Sequence, residues 1–298
     1  MERVHAFFDF DDTLLSGDSI LHWLRFYYRR RPLRRVFQIA NWAGQAAFCL
    51  RILDSHALKR VYLWPMAFEA PAERDRLAAE FVASDLSRRF HPPVLRRLWT
   101  HHLLGHRIVL ISASATFYLK HLKTVLPMAE ILGSEMIWPE AGLRLPRYRG
   151  GNLRGENKIK RMRELGYGEA QSLSFAYSDH PHDRFLLAFS EFPVCVRPTP
   201  KLRRMAREKG WPVMDWEEPG RWPRWKTLLG KLGLVLFAAG PGLPETGSDP
   251  LKEAARTREH APEEVRALRE RVAMRYPGGK PAGVYARIFG TPGPERGG

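Results

Sequence analysis

Four short apolar runs, at residues 4–10, 108–111, 173–177 and 193–196, limit what this chain can fold into more than any other feature. Each is nearly continuous rather than alternating, is rich in β-branched and aromatic residues, and ends in polar or turn residues. A strand that is apolar on both faces must be covered on both faces, which is the condition of a parallel sheet lying between helices. The stretches between the runs supply such helices: 115–125 and 157–165 carry helical patterning, and Gly166 falls where a helix stop is expected. The expected architecture is an α/β, Rossmann-like core built on a parallel sheet.

One interval breaks the alternation. Residues 17–103 read almost entirely as helix, with amphipathic patterning over 19–28, 33–53, 58–68 and 72–90. A helical cap inserted between the first and second strands explains this, which divides the chain into a core at 1–16 and 104–216 and a cap at 17–103. Residues 217–298 hold 13 of the 24 glycines and 10 of the 23 prolines, with one clear helix at 262–274, and are expected to form a weakly ordered basic tail.

Charge narrows the partners without choosing among them. Lys and Arg exceed Asp and Glu by 48 to 32, a net +16 that attracts nucleic acid, anionic membrane or phosphorylated substrates. Half of the surplus is local, since residues 21–60 carry nine basic residues against one acid, Asp54. The two cysteines, Cys49 and Cys195, allow no disulfide framework. The start of the chain turns acidic where an export signal would be apolar, so a cytoplasmic setting is expected. The longest charge-free apolar stretches, 36–50 and the Gly- and Pro-broken 232–244, are shorter than the ~20 residues a spanning helix needs, leaving a surface-lying or re-entrant segment as the membrane mode.

Chemistry concentrates where the apolar runs end. Asp9-Phe10-Asp11-Asp12-Thr13 follows the first run, putting two carboxylates on one side of an extended segment at the ligand-binding end of an open α/β sheet. A bare D-x-D-x-T arises by chance about one time in twenty in a chain of this length, so position and partners must carry the assignment. They do: the second run ends in Ser112-Ala113-Ser114 at an expected helix start, Lys158 opens another helix, and the third run ends at Ser178-Asp179 with Asp183 shortly after. A phosphate monoester resists attack because it is itself anionic, so a catalyst must neutralise its oxygens. Mg²⁺ held by Asp9, Asp179 and the Asp11 backbone carbonyl would do so, with Lys158 adding charge. Asp9 could then attack phosphorus while Asp11 protonates the leaving oxygen and later activates water.

Through DFDDT, the Ser112 turn, Lys158 and YSDHPHD, in that order over residues 3–200, the chain resembles the haloacid dehalogenase superfamily of phosphohydrolases. The resemblance implies Asp9 as nucleophile, Asp11 as acid/base, Ser112 as phosphate ligand, Lys158 as charge stabiliser, Mg²⁺ at Asp9, Asp11 and Asp179, and Thr13 and Asp183 as supports. An acid at Asp11 favours the phosphatase branch. The long helical insertion looks like the type I cap of subclass IB, shared with phosphoserine phosphatase-like and phosphatidylglycerophosphatase C-like enzymes. The basic-aromatic run at 25–53 and the Arg-Pro-Thr-Pro-Lys after YSDHPHD resemble the lipid phosphatase, whereas His182 and Asp18 depart from the phosphoserine phosphatase pattern. A phospholipid head-group monoester such as phosphatidylglycerophosphate is thus the expected substrate, with a soluble phosphorylated metabolite as the alternative.

The plainer readings apply elsewhere. His180 and His182 read as solvated loop residues, and His101, His102 and His106 as surface residues, since no Cys or carboxylate accompanies the latter at zinc spacing. Trp216, Trp222 and Trp225 with Lys226 and Lys231 give the tail an interfacial character. A basic nucleic-acid-binding protein is the rival from another class, but no RNP, zinc-finger or helix-turn-helix signature supports it, so nucleic acid is not the expected partner.

Overall fold

The structure is a computed structural model that describes residues 4–140, 143–167, 173–216, 246–247, 249–275 and 288. β1 (His5–Phe8), β2 (Arg107–Ala115), β3 (Ala129–Ser134), a separate antiparallel pair of β4 (Met136–Ile137) and β5 (Arg147–Tyr148), β6 (Ser174–Ser178), β7 (Phe192–Val196) and β8 (Val213–Met214) are its strands among the described residues. The main sheet has the order β3-β2-β1-β6-β7-β8 with every pairing parallel. The four apolar runs are its middle: Phe8 lies opposite Leu110 on one side and Tyr177 on the other, and Ala6, Phe7 and Phe8 are buried. β3 escapes the sequence pattern because it is an edge strand, half-buried along most of its length.

β1 sits between β2 and β6, so the chain winds outward from it in both directions. At such a switch point the loops beyond neighbouring strand ends diverge and leave a crevice. β1, β2 and β6 end there.

The cap follows at once. Asp18 caps α1 (Ser19–Arg30), its carboxylate accepting from the Ile20 amide at 3.0 Å. Next come α2 (Gln38–Cys49), α3 (Ser55–Leu63) and α4 (Pro71–Ser84). Prolines divide the expected longer helices: Pro32 and Pro65 each open a 3₁₀ turn, and Pro71 starts α4. Trp23 of α1 is fully buried against Phe81, Phe117 and Tyr118, joining cap to core. The excursion closes where Leu15 pairs antiparallel with Phe90, supported by Ser16 N–H to Arg89 O and His91 N–H to Leu14 O, both at 2.8 Å. α5 (Pro92–Leu103) then packs beside β2. The remaining helices are α6 (Thr116–Leu119), α7 (Glu156–Glu164), α8 (Arg184–Phe189) and α9 (Pro200–Lys209), followed by Pro250–Glu259 and Ala261–Arg275.

One expectation is corrected here. His101 and His106 are buried rather than on the surface, because α5 turns that face onto the sheet; His102 is exposed. Their Nδ1 atoms lie 2.7 Å apart, His101 Nε2 meets the Tyr177 hydroxyl at 2.8 Å, and His106 Nε2 meets the Ile288 carbonyl at 2.8 Å. The tail is not featureless. Pro250–Glu259 is a second helix, and Leu268, Val272 and Ile288 join the core. Glu253, itself buried, accepts from Arg96 at 3.0 Å, so charge complementarity with α5 holds a segment whose composition argued against order. Trp222, Trp225, Lys226, Lys231 and the run 232–244 lie outside the described residues.

A pH dependence arises from His22 on α1. Its Nε2–H donates to the Ser16 carbonyl at 2.8 Å, while its buried Nδ1 has no partner among the described residues. Burial and the nearby Arg89 charge push its pKa from 6.5 down to about 4. The unfolded chain therefore binds the proton first, and the stability His22 contributes is full above pH 6.5 and lost as pH falls toward 4. Urea unfolding across that window should show a loss of about 3 kcal/mol that His22→Gln reduces. An equally steep loss in the variant would remove His22 as its source.

Candidate active site

Asp9 leaves β1 at its carboxyl end, with its amide still bonded to the Tyr177 carbonyl at 2.9 Å. Its carboxylate is buried and meets the Lys158 ammonium at 2.6 Å. Lys158 is also buried; its other partner is Asp183, at 2.9 Å, which in turn accepts from the Ser178 hydroxyl at 2.8 Å. Lys158 reaches this position from the first turn of α7, and the turn before it depends on Gly155, whose φ of +60° strains any residue with a side chain.

Thr13 braces the other side. Its hydroxyl lies 3.3 Å from Asp9 Oδ2 and 3.1 Å from Asp179 Oδ1, and it accepts from the Asp179 amide at 3.0 Å. One side chain thus holds the β1 and β6 carboxylates in register across 166 residues of chain.

Asp11 points elsewhere. Its carboxylate accepts from the Ser19 amide at 2.7 Å, from the Ser114 hydroxyl and, at 3.5 Å, from the Ser112 hydroxyl. The serines lie at the end of β2, directly before the helix that opens at Thr116. β2 runs on to Ala115 with a register shift between Ile111 and Ala115, and the helix that follows, α6, has four residues. A bulge at a strand end re-aims side chains: Ser112 Oγ accepts from the Ser114 amide at 2.9 Å and faces Asp11.

The electrostatics are those of a site short of positive charge. Burial raises Asp9 to about 7 even though Lys158 pulls the other way. Burial, then Asp12, Asp9 and Asp183, raise Asp179 well above the ordinary carboxylate value. Burial and the Asp18 charge raise Asp11. Although burial opposes its charge, Lys158 is held above the ordinary lysine value by Asp183 and Asp9. The buried Lys158 ammonium meets two of these carboxylates, Asp9 and Asp183.

These groups open into a cleft of about 230 Å³. Sequence reasoning missed several of its walls: Asp18, Ser55 and Lys59 from the cap, and Asn152 and Arg154 from the loop before α7. No motif marks them; Lys59 is one basic residue among many, and only folding turns it inward. Arg154 donates to the Ser55 hydroxyl, and Arg60 Nε to the Pro146 carbonyl at 2.8 Å, so cap and core touch over the cleft. His180 and His182 also line it, with the His182 amide donating to His180 Nδ1 at 3.2 Å.

The donor set suits a hard cation. Asp9 and Asp179, joined through Thr13, offer carboxylate oxygens, which Mg²⁺ prefers to nitrogen or sulfur. Among the described residues no three His, Cys, Asp or Glu side chains form a metal-holding group. The Asp11 carboxylate is taken up by Ser19, Ser112 and Ser114, which leaves its backbone carbonyl as the oxygen it could offer a cation.

A family model for haloacid dehalogenase-like hydrolases matches residues 6–188, spanning β1, the cap, Lys158 and Asp183. The chain belongs to the haloacid dehalogenase-like hydrolases. Within that family it is a phosphoric monoester hydrolase, in keeping with its relatives. A histidinol-phosphatase of Neisseria meningitidis is 25% identical over 218 residues, covering 71% of this chain and 98% of the relative. A phosphoserine phosphatase of Mycobacterium tuberculosis is 27% identical over 250 residues, covering 82% and 80%. Among solved structures, a Bordetella pertussis protein of unknown function aligns with a TM-score of 0.61 at 23% identity, covering 72% of this chain and 99% of the other. A probable phosphoserine phosphatase of Vibrio cholerae aligns at 0.53 and 16%, covering 80% and 65%. At those identities the structures speak for the fold. Of the described residues, no helix is long and apolar enough to cross a membrane.

Proposed function

We propose that this hydrolase cleaves a phosphate monoester through an aspartyl-phosphate formed on Asp9, with Mg²⁺ required. The single observation that carries the reading is the Lys158 ammonium at 2.6 Å from Asp9 and 2.9 Å from Asp183: a fixed cation opposes the effect of burial by favouring the ionised nucleophile, and faces the incoming phosphate oxygens. Bound Mg²⁺ would be held by Asp9, Asp179 and the Asp11 carbonyl, and supplies charge neutralisation of the phosphate. Asp9 attacks phosphorus and the ester oxygen leaves. Asp11, raised by burial and positioned by Ser19, Ser112 and Ser114, carries the proton that the leaving oxygen takes, then removes one from the water that attacks the phosphoenzyme. Ser112 and Lys158 bind the phosphate, and Thr13 and Asp183 hold the carboxylates in place.

For the substrate, a phospholipid head-group monoester such as phosphatidylglycerophosphate is favoured by the basic, outward-apolar cap. A soluble metabolite is the second reading, favoured by the names of the two relatives and by the polar cleft with Lys59 and Arg154 at its rim.

A panel of phosphomonoesters, soluble and in mixed micelles, assayed with Mg²⁺ and with EDTA, tests both points. Activity should vanish in EDTA, return with Mg²⁺, and fall about 10²- to 10³-fold in Asp179→Asn at fixed Mg²⁺. Full turnover in EDTA would end the metal-dependent account.

A further inference from the structure

On α2 the usual orientation of an amphipathic helix is reversed. Its buried positions are Gln38, Asn41 and Gly44; Asn41 donates to the Tyr28 hydroxyl at 2.7 Å, and Gly44 lies against Val61 and Leu58 with room for little more than a hydrogen. Its outer face carries Ile39 and Trp42. The apolar surface extends back to Leu33 and Val36 and forward through Phe48 to Leu50 and Ile52, so seven of the twelve exposed large hydrophobic residues among the described residues fall within this one stretch. Leu33 is 92% exposed, and Leu50 and Ile52 71% each. A single exposed apolar side chain needs no explanation, but a contiguous stripe on one helix does.

Charge identifies what covers it. Between Asp18 and Asp54 there are seven arginines and no acid. Arg30, Arg31 and Arg34 are turned back to Glu80, Glu73 and Glu69, while Arg29, Arg35 and Arg51 are exposed and pair with no described acid. A second copy of this chain docking by the same face would bring like guanidinium groups together, at a cost. An apolar stripe edged with unpaired arginines is instead the pattern of a helix lying in an anionic lipid interface. Its position is apt: Ile52 lies three residues before Ser55, which lines the catalytic cleft.

We propose that the α2 face of the cap docks on an anionic lipid bilayer, with Ile39, Trp42, Leu50 and Ile52 at the headgroup–acyl boundary and Arg29, Arg35 and Arg51 among the lipid phosphates. Docking stands on the cap alone; that it brings a lipid-borne ester to the cleft rests on the phosphatase reading above.

Flotation of the full-length protein with vesicles of phosphatidylcholine, with and without phosphatidylglycerol, tests it. The protein should float with the anionic vesicles, less so as salt is raised. The double variant Ile39→Ser, Trp42→Ser should partition at least about tenfold more weakly. Arg35→Gln and Arg51→Gln should each weaken it about fivefold, the equivalent of about 1 kcal/mol per basic residue. These variants should hydrolyse a soluble phosphomonoester at the wild-type rate, and Asp9→Asn should float like wild type, which separates docking from catalysis. Wild-type protein that stays with the soluble fraction, unchanged flotation of the double variant, or a dimer that the double variant turns into a monomer would each overturn the docking. Intact flotation without hydrolysis of any lipid phosphate would instead reject the lipid substrate and leave the docking standing.

Discussion

Lys158→Met should cost the protein about 3–5 kcal/mol of stability at neutral pH and abolish measurable turnover. The ammonium is fully enclosed and serves Asp9 and Asp183 together. Removing one member of a buried ionic group leaves the others without compensation, which costs more than the group contributed. The sign with pH follows from the carboxylates. Burial already raises Asp9 to about 7 with Lys158 present, and without it Asp9 is pushed further toward the neutral form. A carboxyl raised in the fold contributes stability that is present in acid and lost as pH rises through its folded pKa. The variant should therefore be closer to wild type near pH 5 than near pH 8, as read by urea midpoints at both. A uniform deficit across that range would mean that lost packing, not uncompensated charge, is the cause.

Asp9→Asn should lower turnover by at least about 10³- to 10⁴-fold while leaving a folded protein. The amide is close in shape to the carboxylate and can still face Lys158, and Asp183 remains to balance the ammonium. What disappears is the nucleophile. Brief incubation with a radiolabelled phosphomonoester, followed by acid quench, should leave covalent label on the wild type and none on the variant. Asp11→Asn differs in kind, because its carboxyl handles protons rather than phosphorus, and a loss of about 10²- to 10⁴-fold is expected. Covalent label on Asp9→Asn would move the nucleophile elsewhere.

Much of this site is legible in the linear chain because its parts are local. Asp9, Asp11 and Thr13 follow an apolar run, and Asp179 and Asp183 follow another, so an α/β reading already brings them to one end of a sheet. Lys158 is legible only through its order relative to those motifs. Ser112 reads from the sequence as lying just before a helix; the bulge that turns it toward Asp11 at the end of β2 is not legible in Ser-Ala-Ser. Lys59 and Arg154 carry no pattern at all; they reach the cleft because the cap folds back over the loop before α7.

The sequence by itself determined the two-sided strands, the presence of a helical insertion and the order of the carboxylates, because periodicity and apolar run length depend on residues next to one another. Only the tertiary structure decided which charges meet, that Lys158 lies between Asp9 and Asp183, that His101 and His106 are enclosed, that residues 250–275 pack on α5, and that α2 turns its apolar side outward. Burial and charge pairing are properties of long-range contact. The same histidine, lysine or isoleucine takes its role from whatever the fold brings against it.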